Sequence, residues 1–178
     1  MVLIRAAREA DAAAIATLYA PYVEHSSATF EELPPTPDEI ARRLRGAGSE
    51  AGVAYSWLVA EEDGALLGYA SSGCFRQRSA YRWSVETGVY VAPGEQRRGV
   101  ARQLLTALLV LLERTGFVTA IASISLPNRA SVALHESLGF VLAGTIRGPG
   151  YKLGEWVDIG YWQRDLAERM VPPCEPGA

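Results

Sequence analysis

The stretch "VYVAPGEQRRGVARQLLTALLVLLE", residues 89–113, constrains the fold of this chain more than any other segment. It begins with β-branched and aromatic residues, which are typical of a strand, and passes through a Pro-Gly turn into leucines that recur with helical spacing. A strand that runs directly into a long helix is characteristic of a layered α/β domain. The turn also brings Arg97, Arg98 and Gly99 to the start of that helix.

The start of this helix is a candidate anion site. The first N–H groups of a helix have no partners within it and carry a partial positive charge, so a glycine turn at this point can hold a phosphate. Gly99 is not followed by Lys-Ser/Thr, and no G-x-G-x-x-G is present, which excludes a P-loop and a dinucleotide fingerprint. The alternative is an ordinary helix start with two solvated arginines, and this segment alone does not decide between them.

The rest of the chain alternates strand and helix patterns. A short strand at 2–5 precedes a helix with Asp11 as its expected N-cap, and a second helix starts at Thr36 with a capping box. Asp63-Gly64 is a hairpin turn between two apolar strands, and Gly139 is expected to end a later helix. The order is close to β-α-α-β-β-β-α-β-α-β-β, which predicts a mixed α/β sheet.

Length and charge narrow the class of protein. The chain has 178 residues, so we expect one domain over residues 1–168 and a flexible C-terminal tail over 169–178. Its net charge of −3 argues against broad nucleic-acid binding. Charged residues interrupt the N-terminal segment where a secretory signal needs an apolar run, and the apolar run at 104–112 is too short to span a membrane. We therefore expect a cytoplasmic protein without membrane partners.

Cysteine and histidine usage bears on redox and metal chemistry. Cys74 and Cys174 are the two cysteines of the chain and are interpreted as free thiols. His25 and His135 are its two histidines, and the sequence has no Cys/His cluster. No metal site is expected.

Six motifs carry a family resemblance. Gln96 to Ala101 fits the pattern Q/R-x-x-G-x-G/A, and the chain also contains, in order, "TFEELPPT", "FRQRSAYRW", "VETGVYV", "SLPNRASVALHESLGF" and "GYKLGEWVDIGYWQRDL". With these motifs the chain resembles the GNAT superfamily of N-acetyltransferases, and within it the phosphinothricin and methionine sulfoximine N-acetyltransferase branch, from Ile4 to about Leu166. Ala101 takes a place often held by glycine, and Gly88 stands where some relatives carry a hydroxyl residue.

The resemblance implies a fold and a co-substrate. The fold is α/β, of the GNAT (acyl-CoA N-acyltransferase) type, with a central mixed, mostly antiparallel sheet and flanking helices. Acetyl-CoA is the co-substrate, held by the main chain of one strand and by the loop after it. The implied cofactor-binding residues are Val89, Tyr90, Val91, Gln96, Arg97, Arg98, Gly99, Val100, Ala101, Arg102, Asn128 and Ser137. For Asn128 the alternative is helix capping alone, and for Tyr90 it is substrate contact or core packing.

Two residues are candidates for proton transfer. Acetyl transfer to an amine needs a base for the ammonium and an acid for the departing thiolate. By resemblance Glu86 is the base, and the alternative is a strand glutamate in a surface ion pair. His135 stands where many superfamily members have a tyrosine acid, and an imidazole can donate near neutral pH, whereas a purely structural histidine is the alternative.

A third set is expected to bind the acceptor substrate. Arg76 and Arg78 lie two apart on a segment that we expect to be extended, which would put both guanidinium groups on one face to bind a carboxylate. The alternative for them is a solvated strand end, and for Phe30 and Tyr81 it is core packing. The candidate substrate-binding residues are Phe30, Arg76, Gln77, Arg78, Tyr81, Glu86, Thr87 and Gly88.

The sequence thus predicts an N-acetyltransferase for the α-amine of a small amino-acid analogue of the phosphinothricin, methionine sulfoximine or methionine sulfone type. Two alternatives are an acetyltransferase for protein or peptide N-termini and a catalytically silent acyl-CoA sensor. The resemblance also implies a homodimer, with contact aromatics expected in the terminal strand pair: Tyr151, Trp156, Tyr161 and Trp162.

Overall fold

The computed structural model describes residues 1–46 and 55–176. The strands are β1 (Leu3–Ala6), β2 (Trp57–Glu62), β3 (Ala65–Cys74), β4 (Ser84–Val91), β5 (Thr119–Leu126), β6 (Val141–Lys152) and β7 (Glu155–Asp165). The helices are α1 (Ala12–His25), α2 (Pro37–Gly46), α3 (Val100–Arg114) and α4 (Arg129–Ser137), with short 3₁₀ turns at Glu9–Asp11 and Ser79–Tyr81. The predicted order of strands and helices is confirmed.

The seven strands form one sheet in the order β1-β2-β3-β4-β5-β7-β6. Neighbouring strands are antiparallel except β4 and β5, which are parallel and joined by α3. A parallel pair requires such a crossover connection, which the strand-to-helix segment at 89–113 provides. The predicted mixed, mostly antiparallel sheet is confirmed.

Each face of the sheet carries its own core. Five of the six leucines of α3 are buried against one face, with Val85 and Val91 of β4. Helices α1 and α2 cover part of the other face, where Tyr69 is buried and Tyr90 packs against the same cluster. Because side chains alternate along a strand, Glu86 and Gly88 share the face of Tyr90. The α1 and α2 face is therefore the one on which the candidate base lies.

Local sequence signals fixed several element ends. The Thr36 hydroxyl accepts a hydrogen bond from the Glu39 N–H at 3.2 Å, as expected for the cap of α2. Asp63 and Gly64 both have positive φ, at 51° and 81°, which suits the tight turn between β2 and β3. Gly139, with φ of 84°, follows the end of α4. The cap, the hairpin turn and the helix stop are confirmed. The reciprocal bond of the predicted capping box is not found among the described residues, where the Glu39 carboxylate pairs with Arg42 and Arg43.

Asp11 holds the expected N-cap position of α1, but its side chain makes no capping hydrogen bond to the helix. A 3₁₀ turn begins two residues earlier, and the Asp11 backbone is already helical. Its carboxylate instead accepts a hydrogen bond from the Arg8 N–H at 2.7 Å and pairs with the Arg5 guanidinium. These hydrogen bonds, first of all those from Arg5, lower the pKa of Asp11. Asp11 therefore links the start of the helix to β1.

The last described residues contact the domain, which differs from the expectation of a tail with no core to join. Glu175 pairs with Arg82 at 2.6 Å, and the Trp83 indole donates a hydrogen bond to the Cys174 carbonyl at 2.7 Å. Pro176 is buried close to Gly116. The partners of Glu175 and Cys174 are 93 and 91 residues away along the chain, so no local pattern reveals these two contacts.

Within the described residues no helix is both long and apolar enough to cross a membrane.

His135 is a buried polar group on α4. The residue is 3% exposed, and its ring meets Phe140 edge-on with centroids 5.1 Å apart. Its Nδ1 lies 2.8 Å from the Ser131 carbonyl oxygen. Because a carbonyl can only accept, the neutral ring carries its proton on Nδ1 and leaves a lone pair on Nε2. Among the described residues Nε2 has no hydrogen-bond partner, and burial lowers the pKa of the imidazole.

We predict a pH-dependent stability that originates from His135. Its pKa in the folded state lies below the unfolded value of about 6.5, so the unfolded chain binds the proton more readily. The free energy of unfolding should be highest above about pH 6.5 and should fall as the pH decreases towards the folded pKa. Urea denaturation at about pH 7.5 and pH 5.5, above the range in which carboxylates titrate, measures the difference.

The His135→Gln variant should lose much of this dependence. His25→Gln is the matched control, because the His25 side chain is 76% exposed and makes no contact with the core. A His135→Gln variant whose stability changes with pH as steeply as that of the wild type would contradict the prediction.

Candidate active site

The site is built on a separation between β4 and β5. Their pairing is confined to Ser84–Glu86 and Thr119–Ile121, although β4 continues to Val91 and β5 to Leu126. Each strand keeps its antiparallel neighbour over the remaining length, β4 with β3 and β5 with β7. The two strands therefore separate beyond Glu86 and Ile121. A cavity of ≈ 530 Å³ lies at this opening.

One end of this first cavity is the start of α3. Gly99 is the N-cap residue, with φ of 78°, a left-handed conformation in which glycine is not strained. A Cβ at this position would have Gln103 Nε2 at 3.9 Å as its nearest neighbour, so the space in front of the helix is open. Val100 is buried and fixes the first turn against the core. The first-turn N–H groups are thus held in the arrangement that binds an anion.

Most of the predicted cofactor residues line the first cavity. They are Val89, Tyr90, Val91, Gln96, Arg97, Gly99, Val100, Ala101, Arg102 and Asn128. Asn128 caps α4, because its side-chain oxygen accepts a hydrogen bond from the Ser131 N–H at 3.1 Å. His135 lines the same cavity. Its Nε2 is buried and has no hydrogen-bond partner among the described residues.

Arg98 and Ser137 do not line this cavity. The Arg98 guanidinium forms ion pairs with Glu95 and with Glu62 at the end of β2. The Ser137 hydroxyl donates a hydrogen bond to the Leu134 carbonyl and accepts one from Arg102 at 2.7 Å. The structure therefore corrects the expectation that Arg98 faces the phosphate. Glu62 is 36 residues away in sequence, so the sequence pattern could not show this partner.

Tyr22 is a site residue that sequence reasoning missed. Its hydroxyl donates a hydrogen bond to the Val91 carbonyl at 2.6 Å, and its ring lines the first cavity. The Val91 carbonyl is therefore occupied by α1. The only sequence signal was the position of Tyr22 in the apolar stripe of the helix, which predicts core packing.

Glu86 lies in a second cavity of ≈ 320 Å³, on the α1 and α2 face of the sheet. The two cavities share Thr87, Gly88, Tyr90 and Ser123, so they meet at the opening between β4 and β5. Glu86 is half-buried, and no described residue forms an ion pair or hydrogen bond with its carboxylate. The alternative of a surface ion pair is not found, and the carboxylate is available to a ligand.

Two residues of β4 that line the cavity with Glu86, Tyr90 and Thr87, already have contacts within the protein. The Tyr90 ring packs against Tyr19 and Tyr69, with centroids 4.8 and 5.3 Å away, and burial raises the pKa of its phenol. Thr87 is buried, and its hydroxyl donates a hydrogen bond to the Ile121 carbonyl at 3.3 Å. Tyr90 therefore has a structural role in addition to its place in both cavities, and the Thr87 hydroxyl already has a partner.

The expected geometry of Arg76 and Arg78 is wrong. The segment after β3 bends and enters the 3₁₀ turn at Ser79–Tyr81, so the two arginines do not lie on an extended strand. They line a separate depression with Cys74, Phe75, Gln77 and Tyr81, and only Cys74 is shared with the cavity of Glu86. The Arg76 guanidinium lies 4.4 Å from the centre of the Phe75 ring. The spacing of the two arginines along the sequence does not predict this contact.

Phe30 lies outside both cavities. Its ring sits on Gly150 of β6, where a Cβ would come within 2.2 Å of the ring. The adjacent Thr29 carbonyl accepts a hydrogen bond from the Lys152 ammonium at 2.7 Å. Lys152 is buried, and this burial lowers its pKa. These contacts fix the loop between α1 and α2, and the sequence alone gave no indication of the role of Lys152.

Comparisons with known proteins agree with this geometry. The family model described as an acetyltransferase (GNAT) domain matches residues 4–160. The phosphinothricin N-acetyltransferase of Streptomyces viridochromogenes is 44% identical over 172 residues, which are 97% of this chain and 91% of that protein. An L-methionine sulfoximine/L-methionine sulfone acetyltransferase of Salmonella typhimurium is 37% identical, over 95% of this chain and 97% of that protein.

A solved structure shows the same architecture. The crystal structure of a GNAT superfamily phosphinothricin acetyltransferase from Sinorhizobium meliloti, in complex with acetyl-CoA, superposes with a TM-score of 0.88 at 36% identity. The match covers 98% of this chain and 94% of that one. The separation of β4 from β5, the glycine turn at the start of α3 and the similarity to these relatives all agree. The chain belongs to the GNAT family of acetyltransferases.

Proposed function

We propose that this protein transfers an acetyl group from acetyl-CoA to the α-amine of a small amino-acid analogue of the phosphinothricin, methionine sulfoximine or methionine sulfone type. The observation that supports this most is the junction of the two cavities at Gly88, between the anion cradle at Gly99 and the unpaired carboxylate of Glu86. The names of the relatives indicate the class of acceptor. A cytoplasmic location belongs to the same proposal.

The residues of the first cavity fit acetyl-CoA. The N–H groups at Gly99–Arg102 would hold the pyrophosphate, aided by Arg97 and Arg102. The free edge of β4 at Val89 would pair with the pantetheine arm, and the Asn128 amide lies further along the same wall. When bound, acetyl-CoA supplies the acetyl group as a thioester. Arg98 has a different role in this proposal, because its ion pair with Glu62 holds the loop before α3 against the end of β2.

Glu86 would act as the base. Its carboxylate has no partner among the described residues, so it is free to take a proton from the substrate ammonium, directly or through water. The neighbouring Gly88 leaves the approach to the strand opening clear. The amine could then reach the acetyl group from the side of the sheet on which Glu86 lies.

His135 would move the second proton, in two steps. The Nδ1–H is bonded to the Ser131 carbonyl, so Nε2 in the resting ring is an acceptor and cannot donate first. Nε2 would take a proton from the amine as the new C–N bond forms and give it to the departing sulfur. The lowered pKa keeps the ring neutral at rest and makes the imidazolium a better acid. The predicted acid role is thereby retained, with a base step before it.

The two alternatives are less consistent with the geometry. A catalytically silent acyl-CoA sensor has no use for an unpaired glutamate at the cavity junction. A peptide N-terminus needs an open groove, whereas Trp57 stands at the far end of the second cavity. A turnover assay with thiol detection, run on free amino-acid analogues and on short peptides, separates the three functions.

A homodimer is the final part of the proposal. The sheet ends at β6, which carries exposed apolar side chains on an edge strand. Of the four aromatics expected at the contact, Trp156 and Tyr151 are 71% and 58% exposed and touch each other, whereas Trp162 is buried and binds Glu136. The exposed pair and the β6 edge therefore support the dimer surface, and Trp162 belongs to the monomer core.

We predict that Glu86→Gln lowers kcat by about a hundredfold or more while acetyl-CoA affinity is unchanged, because the amide cannot accept the ammonium proton. Steady-state kinetics and calorimetry measure the two quantities. Gly99→Asp is the reciprocal control, since its carboxylate opposes the pyrophosphate and should weaken acetyl-CoA binding. An unchanged kcat in Glu86→Gln near neutral pH would remove Glu86 from the mechanism.

We predict that Arg76→Ala and Arg78→Ala each reduce kcat/KM for a free amino-acid analogue, mainly through KM, if their depression receives the substrate carboxylate. Both side chains are exposed, so the loss should be modest, about fivefold. The amidated form of the same analogue should lose far less. Equal losses for acid and amide would indicate that the arginines support the fold or the cofactor instead.

We predict that the wild-type protein is a dimer in light scattering at micromolar concentration and that Trp156→Lys shifts it towards the monomer, since a charge is costly in an apolar contact. Leu3→Lys is the matched control, because Leu3 is 53% exposed on β1, at the opposite edge of the sheet from β6. A wild-type monomer, or equal effects of both variants, would reject this surface.

A further inference from the structure

The sheet face with Glu86 carries a row of small residues across the strands. Ser71 of β3 lies opposite Trp57 of β2 on one side and opposite Gly88 of β4 on the other. Side chains in register share a face of the sheet, so this row forms a shallow channel that runs from the opening between β4 and β5 to the Trp57 ring. We refer to it as the Ser71–Gly88 trough.

The walls of the trough differ in chemistry. On one side lies the next cross-strand pair, Tyr69 and Tyr90, whose rings stack with centroids 5.3 Å apart. On the other side lie Gly73 and Glu86, also paired in register. At the far end the Trp57 ring stacks on Tyr69 at 5.4 Å and 8°. The trough therefore has an aromatic wall, a carboxylate side and an aromatic end, and Tyr19 and the Glu31–Arg43 ion pair line the same cavity from the side of α1 and α2.

Gly88 keeps the trough open, although its backbone does not need glycine. Its φ is not among the positive values of the chain, and it lies within a regular strand. A Cβ here would meet Tyr90 and the Ser71 hydroxyl at 3.7 and 3.8 Å, which is ordinary van der Waals contact. A larger side chain would fit the backbone but would extend into the trough. Glycine at position 88 therefore leaves space in the site and is not required by the conformation of the backbone.

We infer that the Ser71–Gly88 trough holds the side chain of the acceptor amino acid and selects substrates with a long unbranched or planar side chain. The inference rests on the proposed function, in which the amine lies between Glu86 and the strand opening. Two strand spacings separate Gly88 from Trp57, about 10 Å. A side chain of roughly four or five heavy atoms covers the floor at Ser71 and reaches the Trp57 ring.

The occupant's chemistry follows from the walls. Aromatic rings favour sulfur-containing and aromatic groups, so methionine-like and phenylalanine-like side chains suit the trough. The side chain of alanine is too short to reach Ser71 and gains nothing from it. The trough thus makes the enzyme discriminate by side-chain length, independently of how the amine and carboxylate are bound.

The test compares a long and a short acceptor in variants that fill the trough. In Ser71→Leu, which fills the floor of the trough, kcat/KM for methionine sulfone should fall about tenfold or more, as expected when a hydrophobic contact is blocked, while kcat/KM for alanine stays within about twofold. In Gly88→Val, which also narrows the passage at the strand opening, both acceptors should lose kcat/KM, and methionine sulfone should lose more than alanine. Calorimetry with methionine sulfone should show weaker binding in both variants, a readout that does not depend on turnover.

Gly144→Val is the matched control, because Gly144 is a β6 glycine with open space around it and lies outside the trough. This variant should treat both acceptors as the wild type does. Equal losses for alanine and methionine sulfone in Ser71→Leu, or no loss for either, would overturn the inference. A wild-type enzyme that acetylates no free amino acid or analogue would instead overturn the proposed function, and this result is read from the wild type alone.

Discussion

The functional architecture depends on the end of backbone pairing between β4 and β5 after Glu86 and Ile121. Past this point each strand follows its other, antiparallel neighbour, so the two diverge without either losing its own ladder. The divergence exposes main-chain groups in the interior of the sheet, where unpaired N–H and C=O groups are costly. The Tyr22 hydroxyl donates to the Val91 carbonyl and accepts from the Val91 N–H, and the rest of the β4 edge is left for a ligand.

The same opening determines how the two halves of the site are divided. The glycine cradle at the start of α3 and the buried His135 lie in one cavity, and Glu86 lies in the other. The cavities share the short β4 segment Thr87–Gly88, where side chains alternate between the two faces. A donor and an acceptor can therefore approach the same strand from different sides, and the small size of Gly88 keeps the passage between them free.

Local signals predicted the elements because their causes are local. The cap at Thr36, the turn at Asp63-Gly64 and the helix stop at Gly139 each depend on residues only a few positions apart. The cradle was predictable for the same reason, since glycine, turn and helix are contiguous. Arg98 was misjudged because its partner Glu62 is brought to it by the β2–β3 hairpin. The extended conformation expected at Arg76 and Arg78 was wrong because the spacing of two arginines does not reveal a bend, in which the Phe75 and Tyr81 rings meet edge-on.

By itself, the sequence determined the order of strands and helices, the α/β class and the motif at residues 96–101, because periodicity, capping and turn chemistry act over a few residues. Only the tertiary structure decided which polar groups remain free. In the part of the chain that the structure describes, the Glu86 carboxylate has no partner and the buried Nε2 atom of His135 has no hydrogen bond, and the trough from Gly88 to Trp57 depends on strand register. Register and long-range pairing join residues far apart in the chain, and free polar groups are what remains after those contacts form.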